Sequence, residues 1–257
     1  MIEFDVSAIQ NDKKGNRMTT KPDIEKILEL QKRWDRIGVA NLYDAIDRMG
    51  YGNQCVDLAI RPLFPGQHLA GMAVTMRGVR DPVDYHKQEA HDALEGQPQS
   101  KPPDVRTLLF PGSVLVIDGG GEKLTGKMGE MTSWSFKQAG AMGIVIDGYI
   151  RDRHGLEVIP GYCTCARGTS PIESAGRWHV DAVNTPIALP GTLTSQVAVY
   201  PGDWVIGGDD GVIVVPQAIA GEALKEAEDI EWREQGMRGD LAAGMPFDEA
   251  YRKWGRA

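Results

Sequence analysis

Long apolar runs are missing from this chain. The longest, VIVV near residue 214, falls far short of the roughly 20 residues that a membrane-spanning helix needs. The opening stretch, MIEFDVSAIQNDKKGN, carries charges throughout and has no apolar centre, so no secretory signal is expected and the cytoplasm is the expected compartment. Cysteine is scarce. Cys55, Cys163 and Cys165 are an odd, sparse set that excludes a secreted disulfide framework. Cys163 and Cys165 can share one face of a strand, but no second Cys/His pair completes a metal site, and reduced thiols are the expectation. Lysine and arginine form no run, and the net charge is -8, which argues against nucleic acid as a partner. The same charge repels small acidic substrates at long range, so their capture needs local arginine or metal charge. His86 and His91 are five apart rather than four, which does not place two imidazoles on one helix face for zinc. No Ser-His-Asp set can be argued either.

What is present is an ordinary globular balance: 42% hydrophobic and 25% charged residues over 257 positions, enough for one large domain with a real core. Residues 1–20 are polar and aperiodic and read as a mobile arm; 21–257 read as one domain, with a polar, proline-bearing excursion at about 82–104. The spacing of Ile24, Ile27, Leu28 and Leu30 predicts a helix ending near Trp34. GVANLYDAIDRMG predicts a second, with Val39, Leu42, Ile46 and Met49 on one side and Gly50 at its C-terminal cap. Strands are expected over 68–76, 114–117 and 144–146, and the segment between the last two, GEMTSWSFKQAGAMG, has helix length. Short strands with turn signals follow around Cys163 and over 187–189, 196–200, 204–206 and 212–215. Helices are expected over 217–235 and 247–254. PGSVLVIDGGG and PGDWVIGGDDG echo each other, which suggests either a repeated sheet unit or only a shared turn.

The chemistry concentrates between Pro111 and Asp152. Asp118 and Gly119 to Gly121 follow a strand, as a phosphate loop would, but GGGEKLTGKMG lacks both the G-x-G-x-x-G and the G-K-[ST] spacing, and it supports a methyl-donor loop no better. A tight turn close to a ligand is the better reading. A helix starting at Gly129-Glu130 aims the amides of Met131 and Thr132 into the preceding cleft, where they can bind a carboxylate. Glu130 alone reads equally well as a first-turn acid. The strand over 144–146 is expected to emerge into Asp147-Gly148 and then Arg151-Asp152. Arginine offers a planar fork for carboxylate or enolate oxygens, and aspartate a hard oxygen ligand for Mg²⁺ or Mn²⁺. A surface ion pair is the plain alternative. Met128, Met131 and Met142 read as core filler, His154 as an exposed loop histidine, and Asp209-Asp210 as turn residues.

GEMTSWSFKQAGAMGIVIDGYIRD, with GVANLYDAIDRMG, PGSVLVIDGGG, GTSPIES and PGDWVIGGDDGVIVVP, resembles the RraA-like family of 4-hydroxy-4-methyl-2-oxoglutarate aldolases and ribonuclease regulators over roughly residues 37–235. The resemblance implies an α/β fold, a layered β/β/α sandwich with N- and C-terminal helices, assembled as a homotrimer or homohexamer with sites at subunit interfaces. It implies a class II lyase that cleaves a 4-hydroxy-2-keto acid to pyruvate, also decarboxylates oxaloacetate, and uses Mg²⁺ or Mn²⁺. The alternative it carries is a non-catalytic regulator that binds a ribonuclease. The aldolases show an acidic residue, twenty residues, then Arg-Asp; here Glu130 precedes Arg151-Asp152 by that spacing, with Glu where the pattern has Asp. The roles implied are metal coordination by Asp152 and, through water, Glu130, and enolate stabilisation by Arg151. The substrate would be held by Arg151, Gly129, Met131 and Thr132.

Overall fold

The computed structural model describes residues 23–81, 103–122 and 124–255. The 1–20 arm, His86, His91 and almost all of the 82–104 excursion lie outside the described residues. Two amphipathic helices open the fold, α1 (Ile24–Trp34), started by the Asp23 side chain on the Lys26 amide, and α2 (Val39–Arg48). An eight-stranded sheet follows, built from β1 (Arg61–Pro62), β2 (Leu69–Arg80), β3 (Ser113–Asp118), β4 (Ala141–Ile150), β5 (Cys163–Thr169), β6 (Trp178–Val183), β9 (Trp204–Gly208) and β10 (Gly211–Val215). Its order is β1-β5-β4-β3-β2-β9-β10, with β6 paired to the far half of β2. β2 to β5 run parallel, β1, β6 and β9 pair antiparallel to their neighbours, and β1 comes back alongside β9 and β10, so the sheet nearly closes. A hairpin of β7 (Ile187–Leu189) and β8 (Val197–Val199) packs inside the curve.

Parallel strands of this kind must be covered on both faces, and the residue alternation shows how. Val114, Val116 and Val145 point into the closed side with Leu189, Val199 and Val214. Leu115, Ile117, Ile144 and Ile146 point the other way, beneath Phe136 of α3 (Glu130–Gln138) and Leu156 of the short α4 (Arg153–Glu157). A third cluster packs α1 and α2 with the long α5 (Ala220–Ala242) against Trp204, Ile206 and Ile213. Truncating a side chain as large as Phe136 in such a layer costs about 3 to 5 kcal/mol. The last helix, α6 (Phe247–Trp254), closes the chain against α5.

The echoed Pro-Gly segments repeat as turns and not as sheet units. Gly112 and Gly202 take φ of +90° and +97°, as the third position of a type II turn requires. Each turn is closed by a hydrogen bond, Ser113 N to Phe110 O at 2.9 Å and Asp203 N to Tyr200 O at 3.0 Å. The strands they feed then pair with β2 in opposite senses, β3 parallel and β9 antiparallel. Several expectations need correction. β4 does not stop at Ile146: it continues through Asp147-Gly148 to Ile150, because a register shift absorbs those two residues and Arg167 of β5 takes up the Asp147 carboxylate. Met131 is not core: it is 69% exposed on the first turn of α3, whereas Met128 is buried. The helix expected over 217–235 begins as a 3-10 turn and then runs on to Ala242.

Candidate active site

Four parallel strands end on the same edge of the sheet, where α/β folds gather ligands, and two chain segments meet there. The segment leading into α3 is stitched to the end of β4: Lys127 N donates to Tyr149 O at 2.9 Å, and Arg151 N donates to Met128 O at 2.9 Å. The helix tip and the strand terminus are thereby held side by side. The first bond of α3 runs from Ser133 N to Gly129 O, so the amides of residues 130, 131 and 132 are free of the helix. The Glu130 amide donates to Asp152 Oδ2 at 3.2 Å. Those of Met131 and Thr132 meet no acceptor among the described residues.

Asp152 occupies the left-handed region (φ 60°, ψ 40°), one of two non-glycine residues among those described to do so. That conformation costs on the order of 1 kcal/mol, and it turns the carboxylate back onto the α3 tip. Arg151 Nε stands 3.5 Å from Asp152 Oδ2 and Arg151 Nη1 stands 3.8 Å from Glu173 Oε1. Both are loose pairs on half-exposed side chains, so the fork keeps capacity for another anion. Gly129 is needed for this approach, since a methyl group there would overlap Asp152 Oδ2 and crowd Arg151. The Glu130 carboxylate reaches over α4, where a methyl group on Gly155 would overlap its Oε2. The missing side chain at Gly155 gives the longer acid its room.

Beneath the site lies a pair that local sequence reading does not single out. Lys127 is fully buried, and its Nζ stands 2.7 Å from both Oε2 and the main-chain oxygen of Glu122. Burial works against the Glu122 charge, but Lys127, Thr125 and the amides of Leu124 and Thr125 outweigh it and bring its pKa down to about 2. Asp118, at the end of β3, is shifted the other way: burial raises its carboxyl, with the Gly120 amide opposing. Arg167 ties the buried Asp147 to Asp57, 3.2 Å from its Nη2. Glu173, in the GTSPIES stretch, reaches Arg151 from a loop that also pairs with Gly126.

The structure thus brings together Arg151, Asp152 and the Gly129–Thr132 tip, and adds Glu173. Glu130 joins them through its amide, while its carboxylate lies toward Gly155. Among the described residues no three His, Cys, Asp or Glu side chains converge to cage a metal ion. Asp152 Oδ1 is free of protein partners among the described residues. One exposed carboxylate with room for water and substrate oxygens suits Mg²⁺ or Mn²⁺, which often take only one or two protein oxygens. Cys163 and Cys165 lie buried in the core with their sulfurs 3.8 Å apart. His154 is exposed, on α4 rather than in a loop.

A family model described as "RraA-like: Aldolase/RraA" matches residues 39–214, more than half of the chain and all of this edge of the sheet. The chain belongs to the Aldolase/RraA family. Among its RraA-like relatives, a Halalkalibacterium halodurans protein named "Putative 4-hydroxy-4-methyl-2-oxoglutarate aldolase" is 32% identical over 139 residues, 52% of this chain and 62% of that protein. The 4-hydroxy-4-methyl-2-oxoglutarate aldolase of Thermus thermophilus is 29% identical over 111 residues, 43% of this chain and 63% of its own length. The alignments therefore span less than two thirds of these relatives. Streptomyces coelicolor RraAS2, described as an unusual member of the RNase ES inhibitor RraA protein family, superposes with a TM-score of 0.65 at 28% identity, over 82% of this chain and 96% of that one. An uncharacterized Pseudomonas syringae protein has the same fold, with a TM-score of 0.69 at 24% identity over 87% and 96% of the two chains.

Proposed function

We propose that this RraA-like protein is a divalent-metal-dependent lyase that cleaves a 4-hydroxy-2-keto acid and releases pyruvate, with oxaloacetate decarboxylation through the same pyruvate enolate. The observation that carries the proposal is the stitched junction of helix tip and strand end, which sets two acceptor-free amides, an arginine fork and an aspartate around one opening. In this reading the substrate carboxylate binds the Met131 and Thr132 amides. Arg151 faces the C2 oxygen, where negative charge develops as the C3–C4 bond breaks. The C4 hydroxyl loses its proton, C4 becomes the carbonyl of the leaving fragment, and the enolate left behind takes a proton at C3. Asp152, and Glu130 through water, would hold Mg²⁺ or Mn²⁺; when bound, such an ion acts as a Lewis acid toward the keto acid oxygens. Glu173 balances the Arg151 charge until a substrate oxygen displaces it.

The likeness to RraAS2 favours a second reading, a regulator that captures a ribonuclease through its surface. A panel of 4-hydroxy-2-keto acids and oxaloacetate, assayed for pyruvate with and without Mg²⁺ or Mn²⁺, separates the two. Metal-dependent pyruvate release supports the lyase. No release from any of them, with tight binding of a ribonuclease, supports the regulator.

A further inference from the structure

The proposed cleavage leaves one role unfilled: a group must take the proton from the C4 hydroxyl. The loop between β5 and β6 brings a carboxylate to the site, and its main chain is pinned on both sides of that residue. Ser170 N donates to Ile150 O at 2.8 Å, and Ser170 Oγ donates to Leu124 O at 2.6 Å. Gly126 N donates to Ile172 O at 2.8 Å, and Arg177 Nη1 donates to Glu173 O at 3.1 Å. Gly126 lets the loop pass this close, since a methyl group there would overlap Ser170 O and press on Arg151 Cβ at 2.8 Å. The backbone at Glu173 is therefore held in place. Its side chain is 60% exposed and reaches Arg151 Nη1 at 3.8 Å.

The neighbouring carboxylates have other engagements. Asp152 Oδ2 accepts from the Glu130 amide, and the lyase reading gives Asp152 to the metal. The Glu130 carboxylate lies toward Gly155. Glu122 is buried against Lys127, Asp147 is held by Arg167, and Asp118 accepts from the Gly120 amide at 2.9 Å. The Glu173 carboxylate accepts no hydrogen bond from the described residues and meets only the Arg151 fork. That fork has two flanks, Nε toward Asp152 and Nη1 toward Glu173. In a 4-hydroxy-2-keto acid the C2 oxygen and the C4 hydroxyl are separated by three carbons, and folding brings them to about 2.8 Å, a hydrogen-bond distance. With the C2 oxygen on the fork, the C4 hydroxyl falls on the Glu173 flank. We infer that Glu173 is the general base of C–C cleavage, an assignment that rests on the lyase reading.

The substrate oxygen displaces Glu173 from Arg151 and so frees the carboxylate at the moment it is needed. One Glu173 oxygen takes the C4 hydroxyl proton, and the O–H electron pair becomes the second bond of the C4 carbonyl. The C3–C4 pair moves into the enolate, whose oxygen faces Arg151. A solvent proton adds at C3, and Glu173 returns its own proton to solvent through its exposed side, so no proton is gained or lost overall. Oxaloacetate carries no hydroxyl at C4, and its decarboxylation to the same enolate needs no base. The assignment therefore separates two reactions of one site.

Pyruvate release by the full chain, saturated with Mn²⁺, tests this with two substrates: oxaloacetate and the 4-hydroxy-2-keto acid that the wild type turns over fastest. Glu173→Gln keeps the side chain's size and removes its basicity. It should lower kcat for the hydroxy acid by about 10² to 10³-fold, and the ratio of cleavage to decarboxylation should fall about 100-fold. Glu173→Asp keeps a base on a shorter arm and should recover much of that ratio. Circular dichroism establishes that each variant is folded. An unchanged ratio in Glu173→Gln overturns the assignment: if both rates survive, Glu173 has no part in the chemistry, and if both fall together, it only positions Arg151. A ratio that falls equally in Glu173→Asp and Glu173→Gln also counts against it. A wild type that releases pyruvate from neither substrate refutes the lyase reading and this assignment with it, a result distinct from the others.

Discussion

Removing the Lys127 amine while keeping its length, as in Lys127→Met, tests whether the buried pair under the active-site edge holds that edge together. Lys127 Nζ contacts Oε2 and the main-chain oxygen of Glu122, and both side chains are nearly inaccessible to water. Taking away one partner of a buried ion pair typically costs 3 to 5 kcal/mol, because the other charge stays buried alone. Glu122 would retain the Thr125 hydroxyl and the amides of Leu124 and Thr125, which places the cost near the low end, about 3 kcal/mol. That is a large fraction of the 5 to 15 kcal/mol stability of a typical domain. Urea denaturation at pH 7 reads it as a shift in midpoint. The double variant Glu122→Gln/Lys127→Met leaves neither charge of the pair buried and should recover at least half of the loss. Activity should fall with stability, since residues 126–128 carry the bonds that align β4 with α3. A loss below about 1 kcal/mol in Lys127→Met, or a double variant no more stable than the single, refutes this view of the pair.

Glu122 also predicts a pH dependence. Its folded pKa of about 2 lies below the ordinary 4.5, so its stabilisation is complete above pH 4.5 and is lost as pH falls toward 2. The full displacement corresponds to at most about 3 kcal/mol. The acid limb of wild-type stability should therefore be steeper than that of Glu122→Gln, and coincident limbs would count against the pair. Asp152→Asn keeps a side chain that tolerates φ of +60°, whereas Asp152→Ala adds about 1 kcal/mol of strain. Thermal melts should separate these two variants, while Mn²⁺ titration should find both equally poor at binding. Gly155→Ala pushes on the Glu130 carboxylate, so pyruvate release should drop about tenfold with the fold intact. Shortening the acid with Glu130→Asp should restore most of that activity; a Gly155→Ala enzyme with wild-type rate would remove Glu130 from the site.

Periodicity made much of the fold legible. Ile24 to Trp34 and Phe247 to Trp254 form helices with the bounds their apolar spacing indicates, and the β3-α3-β4 unit is the expected strand, helix, strand. β4 proved longer than expected because Asp147 and Gly148 look like a turn until Arg167, twenty residues later, supplies the partner for Asp147. Met131 reads as core by composition alone, yet it lies on the open side of α3's first turn. The spacing from Glu130 to Arg151-Asp152 pointed to residues that the fold does bring side by side. It could not reveal that Glu130 contributes its amide to Asp152, or that Gly155 makes room for its side chain. Glu173 and the Glu122–Lys127 pair depend on loop crossings that carry no periodic signal.

In the proposed lyase, the Arg151 fork acts on charge that develops during C–C cleavage, beside a metal that Asp152 would hold. The most direct measurement compares pyruvate release and Mn²⁺ affinity in Arg151→Ala and Arg151→Lys against the wild type. Arg151→Ala should lower kcat by about 10² to 10³-fold, leave Mn²⁺ affinity within about threefold, and be only weakly rescued by lysine, which lacks the planar fork. Turnover that survives Arg151→Ala, or losses of equal size in turnover and metal binding, would contradict this role for Arg151.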